Sequence, residues 1–393
     1  MKPRIAKEEF VARIRRIQQA MKRQNLSALM VYGDEYRKEN LRYVTNFWPI
    51  FERGGCFIPL RGEPIYAGAP EGEKYARETC VWGDVRNIKE FAAVTVPEEI
   101  DYPLAKFSSL KDILGQVLRG GKRLGLVGRF DMSAPLTDRV RQAVPGLEIV
   151  DAAPILQRLR LRKSPAEIAC LREAGRITCI GYERLMAVAQ PGVTELEATG
   201  AAEGAARAAG AEAIIFMVFG SGPRANTIIG RPTNRIIRNG DMVMASMAVQ
   251  YEGYVTTAEF PFVAGRATSG QKRFLAALFE AANAQLRHLR HGADAGAMVR
   301  AVRDVFRKRR LASYDVYPPM HGIGLAEAES PYPDEKAHYR FEEGMCVNSD
   351  ISLFGHPHGS NRIEEGFVIR RNGPESLTPL IRQLTEQGMD GIL

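Results

Sequence analysis

A histidine opening a glycine-rich turn, His321-Gly322-Ile323-Gly324-Leu325, precedes two carboxylates, Asp350 and the Glu364 of Arg362-Ile363-Glu364. One imidazole and two carboxylates can hold a single divalent ion, although the commoner facial arrangement uses two histidines and one carboxylate. The same three groups can form a hydrogen-bonded cluster instead. They can also move protons, because an imidazole beside carboxylates titrates near neutral pH. Gly355-His356-Pro357-His358-Gly359 offers a second base from a loop, but a histidine pair bounded by glycine and proline is more often surface decoration.

The elements that must position these residues fall into two groups. In residues 1–153, Phe10, Ile14, Ile17 and Met21 recur at helical spacing, and 28–33 and 123–128 read as short buried strands ending at glycine. A helix through Leu136 and Val140 follows the second strand, so this part is a small α/β domain. The boundary is set near Pro154, leaving 154–393 as a second domain. Ser164-Pro165-Ala166-Glu167 is a capping box with proline at the first helical position, and Thr194-Glu195-Leu196-Glu197 repeats the capping signal. Strands are expected at 213–219, 241–249, 254–263, 345–353 and 363–371, with amphipathic helices at 269–290 and 294–309. Helices interleaved with pairs of sequential strands indicate an α+β design, helices on one face of a curved antiparallel sheet.

At 393 residues the chain exceeds what one core usually supports, in keeping with two domains. Its 45% hydrophobic and 25% charged content is that of a globular protein. The net charge of +8 raises nucleic acid as a partner, but the basic residues are scattered through helix-like segments beside glutamates, which speaks against it. No stretch approaches the ~20 apolar residues that span a bilayer. The N-terminal residues lack an apolar run, and the five cysteines have no CxxC spacing, so a cytoplasmic protein with reduced thiols is expected.

Four segments taken together resemble the pita-bread superfamily of methionine aminopeptidase, prolidase and creatinase. They are Gly240-Asp241-Met242-Val243 leading to Gly253-Tyr254, the His321 turn, Gly344-Met345 leading to Asp350, and Arg362-Ile363-Glu364. Residues 1–153 also resemble the N-terminal domain of creatinase and prolidase. The resemblance implies a C-terminal pita-bread domain behind an N-terminal α/β creatinase-like domain. In the metallopeptidases of the superfamily two Asp, one His and two Glu hold two divalent ions. Here Ser246 and Thr257 stand at the two Asp positions, Asp350 at the first Glu, and only His321 and Glu364 are retained in kind.

The resemblance is closer to creatinase, the metal-free branch. Glu259 matches a substrate-binding Glu there and Asp350 a second one, a methylene shorter. Two acidic groups around one pocket favour a cationic or amidine-like ligand; pairing of Glu259 with an internal arginine such as Arg362 is the plainer reading. Phe51 and Arg53 match a pair that in creatinase reaches into the partner subunit's site, where the arginine meets a substrate carboxylate. The departures are Ile229, where creatinase and prolidases carry a His, and Ala328, which replaces a second family His.

These residues lead to one set of expectations. The catalytic residues are His321 as base, Glu364 orienting its ring, Glu259 and Asp350; the substrate-binding residues are Phe51, Arg53, Ser246 and Thr257. The site has no metal and no cofactor. The protein is a homodimer whose site the partner's N-terminal domain completes, with neither nucleic acid nor membrane as partner. It is a metal-independent, creatinase-like hydrolase of a C–N bond, outside the peptidases, acting on a small amino-acid-like molecule with a carboxylate and a cationic or amide nitrogen. The alternatives are a single-metal Xaa-Pro peptidase-like enzyme built on His321, Asp350 and Glu364, a lyase, or a non-catalytic pita-bread binding protein.

Overall fold

The computed structural model describes residues 2–92 and 105–388. The chain divides into two compact units, Ile5–Arg160 and Leu161–Leu393 together with Met1–Arg4. Pro154 lies inside the helix Ala153–Arg160, in its first turn, where a missing N–H leaves no intrahelical bond unmade.

The first unit is built on a six-stranded mixed sheet. Its strands are β1 (Ala28–Asp34), β2 (Arg53–Pro59), β3 (Ile65–Gly68), β4 (Val85–Asn87), β5 (Arg123–Val127) and β6 (Glu148–Asp151), in the order β4-β3-β2-β1-β5-β6. β1 runs parallel to β5 and antiparallel to β2. Buried Met30, Phe57, Leu114 and Leu126 meet in its core. The helices Leu110–Leu118 and Ala134–Ala143 begin at Ser109 and Ser133, whose hydroxyls accept the N–H groups of Asp112 and Leu136.

The second unit carries an eight-stranded antiparallel sheet of β7 (Ala213–Ser221), β8 (Asp241–Tyr251), β9 (Tyr254–Glu259), β10 (Phe262–Ala264), β11 (Met320–Gly322), β12 (Cys346–Leu353), β13 (Asn361–Arg370) and β14 (Gly373–Ser376). The expected strand over 254–263 is two strands, because Pro261 has no N–H for the ladder. Helices Pro165–Val188 and Ser269–Gln285 pack against the sheet and begin at capping boxes, Ser164 with Glu167 and Thr268 with Gln271. Thr194 with Glu197 closes a third box on helix Glu195–Ala209. The packing is pinned by polar contacts too: Tyr182 Oη accepts from Phe260 N–H at 2.8 Å and lies 2.8 Å from the Ala245 carbonyl. The helix expected over 269–290 ends at Gln285, and a 3-10 turn, Leu286–His288, continues it. The two-domain α+β architecture read from the sequence is the one observed.

Candidate functional site

Strand register assembles the site. Ser246 of β8 faces Glu259 of β9, Glu259 faces Glu364 of β13, and Glu364 faces Asp350 of β12. Four strands thus put one hydroxyl and three carboxylates on a single rung, where opposed side chains stand about 5 Å apart. The two-residue period of a strand adds Thr257 to the face of Glu259 and Arg362 to the face of Glu364. All four rung residues are at most 3% exposed. They line a cavity of about 430 Å³ shared with His321, Glu327 and Arg362.

Three buried carboxylates on one rung repel one another, and Arg362 compensates them. Its Nε lies 3.0 Å from Asp350 Oδ1, and its Nη1 donates to Glu364 Oε1 at 2.8 Å. The guanidinium also sits 5.2 Å from the ring centres of Tyr317 and Phe354, close enough for attraction to their π faces. Burial works against its charge, yet Asp350, Glu364 and Glu259 hold it firmly protonated. Arg362 therefore bonds Asp350 and Glu364, not Glu259. Ser246 Oγ donates to Glu364 Oε2 at 2.7 Å, and Ser352 donates to Asp350. Burial raises the pKa of Asp350, and that of Glu259 well above the carboxylate range, with Arg362 pulling both back. Two polar atoms remain without partners, Glu259 Oε1 and Arg362 Nη2.

His321 stands apart from this cage. Its Nδ1 lies 3.0 Å from the Gly322 carbonyl, an arrangement in which Nδ1–H donates and Nε2 is left free. That Nε2 faces Glu327 Oε1 at 3.6 Å, while Thr257 Oγ1 donates to the same oxygen at 3.2 Å. Burial raises the pKa of Glu327, and the His321 charge opposes the rise. The ring is thus oriented through its Nδ1–H by the Gly322 carbonyl, with Glu327 beside its Nε2; Glu364, expected to orient it, is engaged by Ser246 and Arg362. Glu327 carries no sequence signal of its own. It immediately precedes Ala328, which stands where the family pattern has a histidine, and nothing in its spacing from His321 marks it.

The remaining expected residues lie elsewhere. Phe51 and Arg53 belong to the first unit. Phe51 is 69% exposed with φ 59°, and Arg53 opens β2 opposite Asp34. His356 stacks on Phe274 with ring centres 4.6 Å apart and meets Tyr314 edge-on, outside the cavity lining. Ile229 and Ala328 both line the cavity.

The superfamily implies a metal pair, and the residues present do not fit one. Ser246 and Thr257 are neutral hydroxyls where hard divalent ions need anionic oxygens. A single ion on His321, Asp350 and Glu364 would compete with a guanidinium that already holds one oxygen of each carboxylate. Among the described residues no group of three or more His, Cys, Asp or Glu is placed to hold a metal.

Residues 169–371 match the model of metallopeptidase family M24, and 13–162 match the creatinase/prolidase N-terminal domain. The chain is 26% identical over 238 residues to an uncharacterized peptidase, YqhT, of Bacillus subtilis, covering 60% of this chain and 67% of that one. It is 23% identical over 288 residues to the Xaa-Pro dipeptidase of Pyrococcus furiosus, covering 73% and 82%. The prolidase structure from Pyrococcus horikoshii superposes with TM-score 0.80 at 20% identity, over 93% of this chain and 98% of that one. Among the described residues no helix is long and apolar enough to cross a membrane. These findings correct the expectation of a creatinase-like, metal-independent C–N hydrolase outside the peptidases: the matched family is one of metallopeptidases, and the relatives carry peptidase names. The sequence signal that misled was real, since the Asp positions are lost, but loss of ligands marks a change within a family and does not assign a branch. The chain belongs to metallopeptidase family M24, with a creatinase/prolidase N-terminal domain ahead of its pita-bread domain.

Proposed function

We propose that this protein hydrolyses short peptides in the cavity of its second unit, with the Xaa-Pro dipeptides of its relatives' names as the leading substrate class. The observation that carries this reading is the His321–Glu327 pair facing a peptide-sized cavity in a peptidase fold. His321 Nε2 takes a proton from a water molecule as its oxygen attacks the scissile carbonyl, and returns it to the leaving nitrogen as the C–N bond breaks. Glu327 stabilises the imidazolium formed between those steps, and Thr257 fixes the Glu327 carboxylate. Arg362 keeps Asp350 and Glu364 in place and neutralised.

The proposed working form is a homodimer in which Phe51 and Arg53 of a second copy close the cavity mouth. Support comes from the exposed apolar tip formed by Tyr36, Ile50 and Phe51, at 84%, 53% and 69% exposure. It comes also from the engagement of Arg362, which leaves no lysine or other arginine among the described cavity-lining residues for a substrate carboxylate.

The test is amino-acid release from a panel of Xaa-Pro and other dipeptides, run with a chelator and with added manganese or zinc. Release is expected, and His321→Ala is expected to lower turnover ~10²–10⁴-fold with little change in binding. No release under any condition, or an equally active His321→Ala, overturns the reading.

A further inference from the structure

We infer that the cavity selects a residue with an uncharged, apolar side chain, its N–H and carbonyl held by Glu259 and Arg362 and its side chain against Ile228 and Ile229. The inference rests on the peptidase reading and specifies which peptides the site accepts. Glu259 Oε1 and Arg362 Nη2 are buried, belong to residues lining the same cavity, and have no partner. A buried polar atom is costly to leave unmet, and one orphan is an acceptor while the other is a donor. A residue's own N–H and carbonyl supply the complement to both, the N–H for Glu259 and the carbonyl for Arg362, and an Xaa-Pro dipeptide, whose peptide bond has no N–H, offers both on Xaa.

Another stretch of the lining is apolar. Ile228 has φ 62° and ψ −61°, a conformation that a β-branched residue rarely takes. Ile229 N–H donates to the Thr227 carbonyl at 2.6 Å across that turn, and the Ile229 side chain is left 73% exposed. Such strain persists only where the surroundings impose it, and here they do. Thr227 Oγ1 donates to the Arg224 carbonyl at 2.8 Å, and Ser360 Oγ donates to Asn226 at 2.9 Å. Phe219 N–H donates to the Gly230 carbonyl at 2.9 Å, and Arg224 pairs with buried Glu195 at 3.1 Å. The two isoleucines are thus clamped, with Phe216 and Val218 of β7 beside them in the lining. An acidic side chain in this space would meet Glu327, Asp350 and Glu364, and among the described lining residues of this chain the cation, Arg362, is already paired with two of them.

The experiment is a ligand-observed NMR titration of the full chain with N-acetyl-L-leucinamide, N-acetylglycinamide and N-acetyl-L-aspartic acid amide. The leucine probe should bind about tenfold tighter than the glycine probe, as burial of its side chain implies, and the aspartate probe should bind weakest. Ile229→Ser, at an exposed position that folding does not depend on, should abolish the leucine preference. Glu259→Leu should weaken the leucine and glycine probes alike. Equal binding of the leucine and glycine probes, or a preference untouched by Ile229→Ser, overturns the inference. The peptidase reading fails separately: dipeptide release lost while the leucine preference stands removes that reading alone, and release retained without any preference removes only this inference.

Discussion

Two buried glutamates of the second unit, Glu195 and Glu259, have opposite fates. Glu195 is fully buried and accepts from Ser221 N–H and Oγ, Thr233 N–H and Oγ1, and Arg224 Nε. Burial pushes its pKa up, but the hydroxyl and amide donors outweigh that and leave it low. Glu259 is 1% exposed, keeps one oxygen without a partner, and has its pKa pushed well up. Glu195, which holds structure, is saturated with donors, whereas Glu259, which lines the cavity, is left short of them. Glu195 also serves the cavity indirectly, because the segment it anchors carries the Ile228–Ile229 turn.

The comparison can be broken most forcefully through Arg362. Arg362→Met leaves Asp350, Glu364 and Glu259 without their cation and should cost about 3–5 kcal/mol in denaturant unfolding. The loss should be partly recovered on adding a divalent cation, while the unaltered protein gains little under the same addition. A variant as stable as its parent would show that the three carboxylates need no counter-charge.

Glu195→Ala should cost about 3 kcal/mol, because it strips five donors of one acceptor at once. It should also raise hydrogen exchange across 221–233, the segment those donors belong to. Unchanged exchange there would separate the Glu195 cluster from the turn it is held to support.

The smallest effect is expected at Glu259. Its folded-state pKa lies above the ordinary value, so the stability tied to its neutral form is fully present below that ordinary value. It is lost as pH rises through the folded-state value. Glu259→Gln stays neutral throughout. It should change stability by less than about 1 kcal/mol in mild acid and flatten the decline toward alkaline pH. A Glu259→Gln chain that loses stability with rising pH as steeply as its parent would mean that Glu259 is already ionised in the fold.

Local signals in the chain were readable where they rest on local physics. The capping boxes at Ser164 and Thr194 are closed as written, because a hydroxyl and a glutamate three residues apart need only the first helical turn. Ser246, Glu259, His321, Asp350 and Glu364 could be picked out by their place in a superfamily pattern, and the cavity collects all five. Glu327 could not. It reaches the site because the turn after His321 folds back toward Thr257, and no periodicity records that approach.

The sequence by itself determined the α+β architecture, the family, and the loss of the two aspartates, since each follows from residue type and order along the chain. Only the tertiary structure decided what replaced them. Strand register set three carboxylates on one rung with a guanidinium among them, and a loop brought a new carboxylate to the histidine. Charges that are far apart in sequence acquire their energies from separation and burial, and both quantities exist only once the chain is folded.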